Sequence, residues 1–126
     1  MKVYSTDICV PISRLVECIS WAEKEVNRLG LIAPMVGHVG DGNFHSIILY
    51  DPNDQEKQKK IRQYSNDLIN KALELEGTIT GEHGIGLQKK HYLLREHPDN
   101  LPTMKAIKRA IDSNNIMNPG KVFDLN

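Results

Sequence analysis

Hydrophobic residues recur at helical spacing in two long parts of the chain. In the first, the apolar positions follow steps of four, three, four and three and form one face: Leu15, Ile19, Ala22, Val26 and Leu29. Ser13 is placed to cap this helix and Gly30 to end it. In the second, Asp54 precedes a longer apolar stripe that ends before Gly77: Ile61, Tyr64, Leu68, Ala72 and Leu75. The pattern predicts two long amphipathic helices.

Extended segments alternate with these helices. Residues 3–10 mix β-branched and polar side chains and end at Pro11, which is typical of a strand. Residues 31–39 and 44–50 are the second and third predicted strands. Two further helices are expected, over residues 87–96 and from Pro102 onward. The order β-α-β-β-α predicts an α+β fold in which an antiparallel sheet carries its helices on one face.

The composition excludes some classes of function but does not identify one. The chain has 126 residues, enough for one domain, and its 16 basic and 16 acidic side chains cancel. This balance argues against nucleic-acid binding, which depends on neutralising phosphates. No apolar run approaches the roughly 18 residues that a membrane-spanning helix needs. Cys9 and Cys18 form no disulfide framework, and we expect both to be reduced and buried, as in an intracellular protein.

Two short segments combine glycine with histidine and carboxylate. Residues 37–45 read GHVGDGNFH and residues 81–86 read GEHGIG, and together they contain three of the five histidines. Histidine and carboxylate side chains bind metal ions and transfer protons near neutral pH, whereas glycine allows close approach of the backbone. The pattern indicates a functional site built from both segments.

The first segment predicts a pair of facing histidines. Asp41-Gly42 is a strong signal for a two-residue hairpin turn. A turn there places His38 directly opposite His45, with Cβ atoms about 4.5–5.5 Å apart, so that both imidazoles can bind one metal ion. The alternative is that both histidines are ordinary sheet residues with hydrogen-bond partners.

The second segment offers a third ligand and a base. Glu82 completes a set of two histidines and one carboxylate, which binds a divalent cation and leaves positions open for substrate. Adjacent side chains diverge, so His83 can face a substrate on that ion and act as general base. The alternative interpretation of Glu82-His83 is a solvated loop.

Four ordered segments resemble a known family. They read STDICVPISRL at 5–15, GHVGDGNFH at 37–45, GEHGIG at 81–86 and MNPGK at 117–121. They resemble the C-terminal part of the FAD-linked D-2-hydroxy-acid dehydrogenases, which include cytochrome-linked D-lactate dehydrogenases, the glycolate oxidase flavoprotein subunit and D-2-hydroxyglutarate dehydrogenases. The Phe44-His45-Ser46 context is most similar to the D-lactate branch.

The resemblance implies a fold and a reaction. The fold is the ferredoxin-like half of an FAD-linked oxidase C-terminal domain. The reaction is oxidation of a D-2-hydroxy acid, D-lactate first among candidates, to the 2-oxo acid. Zinc or manganese, held by the equivalents of His38, His45 and Glu82, binds the substrate's hydroxyl and carboxylate. The equivalent of His83 removes the hydroxyl proton while C2 delivers a hydride to FAD.

Further contacts and partners are implied by the same resemblance. Asn43 and His83 are the candidate substrate contacts, and Asn118 is the candidate contact near the flavin. The expected partners are a small 2-hydroxy acid, the FAD domain of the same enzyme and an electron acceptor such as a cytochrome, quinone or electron-transfer flavoprotein. The expected location is intracellular: mitochondrial in a eukaryote, cytoplasmic or membrane-peripheral in a bacterium.

The family's FAD-binding domain lies N-terminal to the matched segments. The resemblance therefore implies that residues 1–126 are a single partial domain, without the FAD-binding domain and inactive in isolation. Missing strands would leave a sheet edge and an apolar patch that favour self-association. Two other functions remain open: a non-catalytic metal-binding or assembly module that pairs with a separate FAD-carrying chain, and a metallohydrolase that uses the same His, His and Glu.

Overall fold

Strands and helices alternate along the chain nearly as the pattern predicts. The computed structural model describes residues 1–125 and divides into two units, of which the first comprises residues 1–83. The first unit contains, in order, β1 (Lys2–Ser5), β2 (Ile8–Cys9), α1 (Leu15–Leu29), β3 (Met35–Val36), β4 (Asn43–Tyr50) and α2 (Gln55–Glu74). The second unit begins at Gly84 and contains α3 (Lys90–Glu96) and α4 (Leu101–Ile111).

Strand β4 is the centre of an antiparallel sheet. β1 and β2 pair with it in one continuous register, in which Val3 lies opposite Leu49 and Ile8 opposite Phe44. The predicted first strand therefore forms as two pieces separated by Thr6 and Asp7. β3 pairs with the other edge of β4. The predicted antiparallel sheet is confirmed.

The two faces of β4 have different environments. Phe44, Ser46 and Ile48 point to one face and are almost fully buried. This face packs against α2, where the hydroxyl groups of Ser46 and Tyr64 form a hydrogen bond of 2.6 Å. Helix α1 packs against α2. The helices of the first unit therefore lie on one face, as predicted, and His45 points to the other.

The helix ends test three predicted signals. Gly30 ends α1 in the left-handed conformation, with φ of 66°, and Asp54 caps α2 by accepting a hydrogen bond from Lys57 N–H at 2.9 Å. Both predictions are confirmed. The predicted cap at Ser13 is wrong, because a 3-10 turn over Ile12–Arg14 precedes the helix and contains this residue.

Helix α2 ends differently from the prediction. Glu76, with φ of 60°, takes the left-handed position that the pattern assigned to Gly77. Gly77 is needed for another reason, because a Cβ at this position would lie 2.3 Å from the carbonyl oxygen of Cys9. This close approach lets residue 78 pair with Cys9 and directs the chain back toward the sheet.

The predicted two-residue hairpin turn is wrong. That turn needs positive φ at both central residues, but Asp41 lies in a 3-10 turn over Val39–Asp41 and only Gly42 has positive φ, at 79°. The longer loop shifts the register, so that Val36 lies opposite His45. His38 is therefore outside the ladder, and strand β3 is much shorter than predicted.

The cysteines are free, and Cys18 is buried as expected, whereas Cys9 is half-buried. Within residues 1–125, no helix has both the length and the apolar character needed to cross a membrane.

On the face of the sheet away from α2, Val3 and Leu49 are 60% and 54% exposed. Self-association through this apolar surface stays a prediction.

Burial of the Tyr64 hydroxyl group makes the free energy of unfolding decrease as the pH rises in the alkaline range. Burial raises the pKa of Tyr64 from 10.0 to about 12. As the pH rises, the unfolded chain loses this proton before the folded chain does, so the free energy of unfolding falls between pH 10 and 12. We expect this residue to contribute about 3 kcal/mol to the decrease.

Chemical denaturation at a series of pH values measures this contribution. Tyr64→Phe should be less stable at neutral pH, because Ser46 loses its partner, but should show a shallower alkaline decrease. If the free energy of unfolding decreases equally at alkaline pH in wild type and Tyr64→Phe, folding does not raise the pKa of Tyr64.

Candidate metal and proton-transfer site

The carboxylate of Asp7 organises the segment that carries Glu82 and His83. Asp7 is only 3% exposed. Four consecutive residues donate hydrogen bonds to it: Thr80 Oγ1 at 2.6 Å, Gly81 N at 2.9 Å, Glu82 N at 3.2 Å and His83 N at 3.0 Å. The backbone of residues 80–83 is therefore wrapped around one buried anion, in an arrangement that resembles an anion-binding nest.

These hydrogen bonds keep Asp7 ionised. Burial alone would raise the pKa of this carboxyl group, but donors from Thr80, His83, Asn43 and Glu82 hold the pKa well below its usual range. A carboxylate offers about four acceptor positions. The contacts within the chain use that capacity.

Asn43 joins the same cluster from strand β4. Its Nδ2 donates to Asp7 Oδ1 at 3.0 Å and to the carbonyl oxygen of Ile8 at 2.7 Å. A Cβ at Gly81 would lie 1.9 Å from this Nδ2, so only glycine fits there. Among the described residues, Asn43 Oδ1 is the buried side-chain oxygen that lacks a partner. The predicted substrate contact is thus a mostly structural amide with one unused acceptor.

Glu82 connects the two histidines of the first segment. Its Oε1 lies 2.8 Å from His45 Nε2, and its Oε2 lies 3.7 Å from His38 Nε2. The His45 side chain is 9% exposed, whereas those of His38 and Glu82 are 68% and 46% exposed. Glu82 therefore lies beside both predicted histidine ligands, although the predicted hairpin pairing of His38 with His45 does not form.

His45 has hydrogen-bond acceptors at both ring nitrogens. Nδ1 lies 2.9 Å from the carbonyl oxygen of Thr6, so Nδ1 is the protonated nitrogen that donates. Nε2 faces the Glu82 carboxylate, so a second proton or a cation has to lie between the two groups. A backbone carbonyl on the far nitrogen is the usual arrangement of a metal-binding histidine.

His83 lies beside this pair. Its ring stacks on that of His45, with 4.7 Å between centroids and an angle of 6° between the planes. Its Nε2 is 3.9 Å from Glu82 Oε1, and its side chain is 49% exposed. This imidazole is accessible to a small molecule, and its role as general base stays a prediction.

A second set of possible ligands overlaps the first. Among the described residues, Asp7, His45 and His83 form the one set of three whose ligand atoms all lie within 4.8 Å of one another. A metal on Asp7 Oδ1, the oxygen nearest His45, would compete with the hydrogen bonds from Asn43 Nδ2 and Glu82 N–H. The set of His38, His45 and Glu82 leaves those bonds intact and presents two nitrogens and a carboxylate, which suit zinc or manganese. Metal binding by His38, His45 and Glu82 stays a prediction.

Asn118 belongs to the second unit and is described within it. Its backbone is left-handed, with φ of 50°, and its carbonyl oxygen accepts a hydrogen bond from Lys121 N–H at 3.3 Å. It lines a cavity of about 220 Å³ with Met117, Phe123 and other residues near the C-terminus. Its contact with flavin stays a prediction.

The sequence interpretation missed Asp7. A signal was present, because aspartate is depleted in strands and this residue interrupts the predicted first strand. A charged residue between Thr6 and the buried Ile8 needs hydrogen-bond donors from elsewhere in the chain. Nothing in the local pattern identifies residues 80–83 as the source of those donors.

The tautomer of His45 can be measured directly. In the metal-free chain we expect its Nδ1 to be protonated, because Thr6 accepts that proton, and long-range ¹H–¹⁵N spectra of the imidazole rings report it. Glu82→Gln should leave Nδ1 protonated, because this variant changes only the partner of Nε2. A proton on Nε2 with a bare Nδ1 would contradict the geometry.

Comparison with known proteins identifies the family of the chain. Residues 1–122 match the family described as FAD linked oxidases, C-terminal domain. A probable mitochondrial D-lactate dehydrogenase of Danio rerio is 47% identical over 98% of this chain and 25% of the relative. A mitochondrial cytochrome-type D-lactate dehydrogenase of Arabidopsis thaliana is 44% identical over 94% of this chain and 21% of the relative.

The glycolate oxidase subunit GlcD of Bacillus subtilis is 36% identical over 93% of this chain and 25% of the relative. The chain spans about a quarter of the length of these relatives, or less. The match covers both units and every segment on which the resemblance rests. The chain therefore belongs to the FAD linked oxidases, whose C-terminal domain it contains.

Proposed function

We propose that this chain is the substrate- and metal-binding part of an FAD-dependent dehydrogenase. The enzyme oxidises a D-2-hydroxy acid to the 2-oxo acid, and the names of the relatives favour D-lactate, with glycolate as the second choice. The main support is the position of Glu82, whose carboxylate faces both His45 and His38.

The metal ligands are His38, His45 and Glu82, and the ion is zinc or manganese. When bound, a divalent ion supplies a Lewis acid and a template for the substrate's hydroxyl and carboxylate. His45 is nearly buried and oriented by Thr6, so it is the fixed ligand. His38 and Glu82 are accessible, which leaves the solvent side open to a small acid.

His83 is the proposed base. Its exposed ring accepts the proton of the substrate's 2-hydroxyl group as the C2 hydrogen leaves with its electron pair, and the C–O bond becomes a carbonyl. FAD, bound mainly by another domain, supplies the hydride acceptor. Asn118 contacts the flavin, and Asn43 is the proposed substrate contact, although its Oδ1 is buried and becomes accessible only if neighbouring groups move.

Reoxidation of the flavin requires an acceptor such as a cytochrome, a quinone or an electron-transfer flavoprotein. The eukaryotic relatives are named as mitochondrial enzymes, and we propose the same location for this protein in a eukaryote. In a bacterium we propose a cytoplasmic or membrane-peripheral enzyme.

Calorimetric titration with Mn²⁺ and Zn²⁺ tests the ligand assignment. Wild type should bind one ion, and His38→Ala, His45→Ala and Glu82→Ala should each weaken binding by about 100-fold or more, because each removes a ligand. His83→Ala should bind within a few-fold of wild type. His97→Ala is the matched control, because this side chain is 42% exposed on the second unit.

No stoichiometric metal in folded wild-type protein would refute the site, as would loss of the metal in His83→Ala with retention in His38→Ala.

Paramagnetic relaxation then tests the substrate class. Bound Mn²⁺ should relax the C2 proton of D-lactate more than the corresponding protons of propionate, which lacks the 2-hydroxyl group. Equal relaxation of both acids would contradict binding through the hydroxyl.

A further inference from the structure

We propose that Asp7 is a positioning residue of this site. Its buried carboxylate holds the backbone of residues 80–83, so that Glu82 and His83 stay against His45. The roles of Glu82 and His83 rest on the proposed function, whereas the anchoring by Asp7 rests on hydrogen bonds within the chain.

The sheet places Asp7 and His45 together. The register that pairs β1 and β2 with β4 puts Asp7 across from His45, so both side chains point to the same face. Asp7 Oδ1 lies 3.7 Å from His45 Nδ1. The ladder thus fixes the position of the anion relative to the ring.

The anion in turn fixes the position of the loop. N–H groups of Gly81, Glu82 and His83 all donate to Asp7, and the Thr80 hydroxyl adds the shortest hydrogen bond, at 2.6 Å. Adjacent residues whose N–H groups share one acceptor have little freedom of their Cα atoms. The 2.8 Å contact between Glu82 and His45, and the stacking of His83 on His45, both depend on those positions.

A direct role as metal ligand does not fit Asp7. Both oxygens already accept from the loop, and Oδ1 also accepts from Asn43. A metal on Oδ2 would displace the donors of residues 80–83, and a metal on Oδ1 would displace Asn43 Nδ2 and weaken the contact with Glu82 N–H. The residue therefore acts through the loop, as outer groups do around metal ligands.

Asp7→Asn in the full chain is the primary test. Asparagine keeps the size of the side chain but replaces an acceptor oxygen with a donor NH₂ group, which would face the N–H groups of the loop. We expect the amides of residues 81–83 to lose protection from hydrogen exchange while those of β4 keep theirs. Mn²⁺ affinity should fall by about 10- to 100-fold.

Two further variants separate positioning from general stability. Asp51→Asn is the matched control, because Asp51 also accepts a backbone N–H, from Asn53 at 2.8 Å, but lies in an exposed turn. It should leave both readouts unchanged. Thr80→Val removes one donor and keeps Asp7, so it should weaken Mn²⁺ binding several-fold, and it decides the question if Asp7→Asn does not fold.

The outcomes are distinct. The proposal would be overturned if folded Asp7→Asn binds Mn²⁺ within twofold of wild type, even if its thermal midpoint falls. If Asp7→Asn does not fold, the same result in folded Thr80→Val would overturn it. If wild type itself binds no metal, the proposed function fails separately. The proposal for Asp7 is then tested by the ring-current shifts that His45 and His83 cause in each other. Loss of these shifts in Asp7→Asn would support a positioning role, and their persistence would refute it.

Discussion

The site depends on one buried negative charge. An isolated carboxylate inside a protein is strongly unfavourable unless hydrogen bonds replace its hydration. Asp7 meets this requirement by drawing in the backbone of residues 80–83, a segment more than seventy positions away in the chain. The same constraint explains why glycine occupies position 81, where a side chain would collide with the amide of Asn43. The charge of Asp7 therefore links the junction between β1 and β2 to the loop that carries the proposed chemistry.

The second constraint is the position of the His45 ring, because each of its two nitrogens faces a hydrogen-bond acceptor. The carbonyl of Thr6 fixes one nitrogen, and Glu82 faces the other. Such a ring is satisfied as an imidazolium, or as a neutral ring whose second nitrogen binds a cation. The nearly buried ring and the more accessible His38 and Glu82 then form a site with a rigid side and an open side. In the proposed function, a small hydroxy acid approaches from the open side.

Sequence reasoning succeeded where local physics decides the outcome. The α1 and α2 stripes, the Gly30 stop and the Asp54 cap depend on neighbours within a few residues. The chemistry of the two glycine segments also selected Glu82, which lies beside His45 and His38. The hairpin failed because tertiary contacts select its turn: Val10 N–H donates to the carbonyl oxygen of Gly42 at 3.0 Å, and a Cβ on Gly42 would lie 1.9 Å from the carbonyl oxygen of Val10. Asp7 was missed because its partners are distant in sequence.

The most direct test of this account is anomalous diffraction from crystals of the chain grown with Mn²⁺. We predict one peak within coordination distance, about 2.0–2.3 Å, of His38 Nε2, His45 Nε2 and a Glu82 carboxylate oxygen. Asp7 should remain hydrogen-bonded to residues 80–83 in the same crystal. A peak coordinated by Asp7, His45 and His83, or no peak near Glu82 in a crystal that contains bound Mn²⁺ elsewhere, would contradict it.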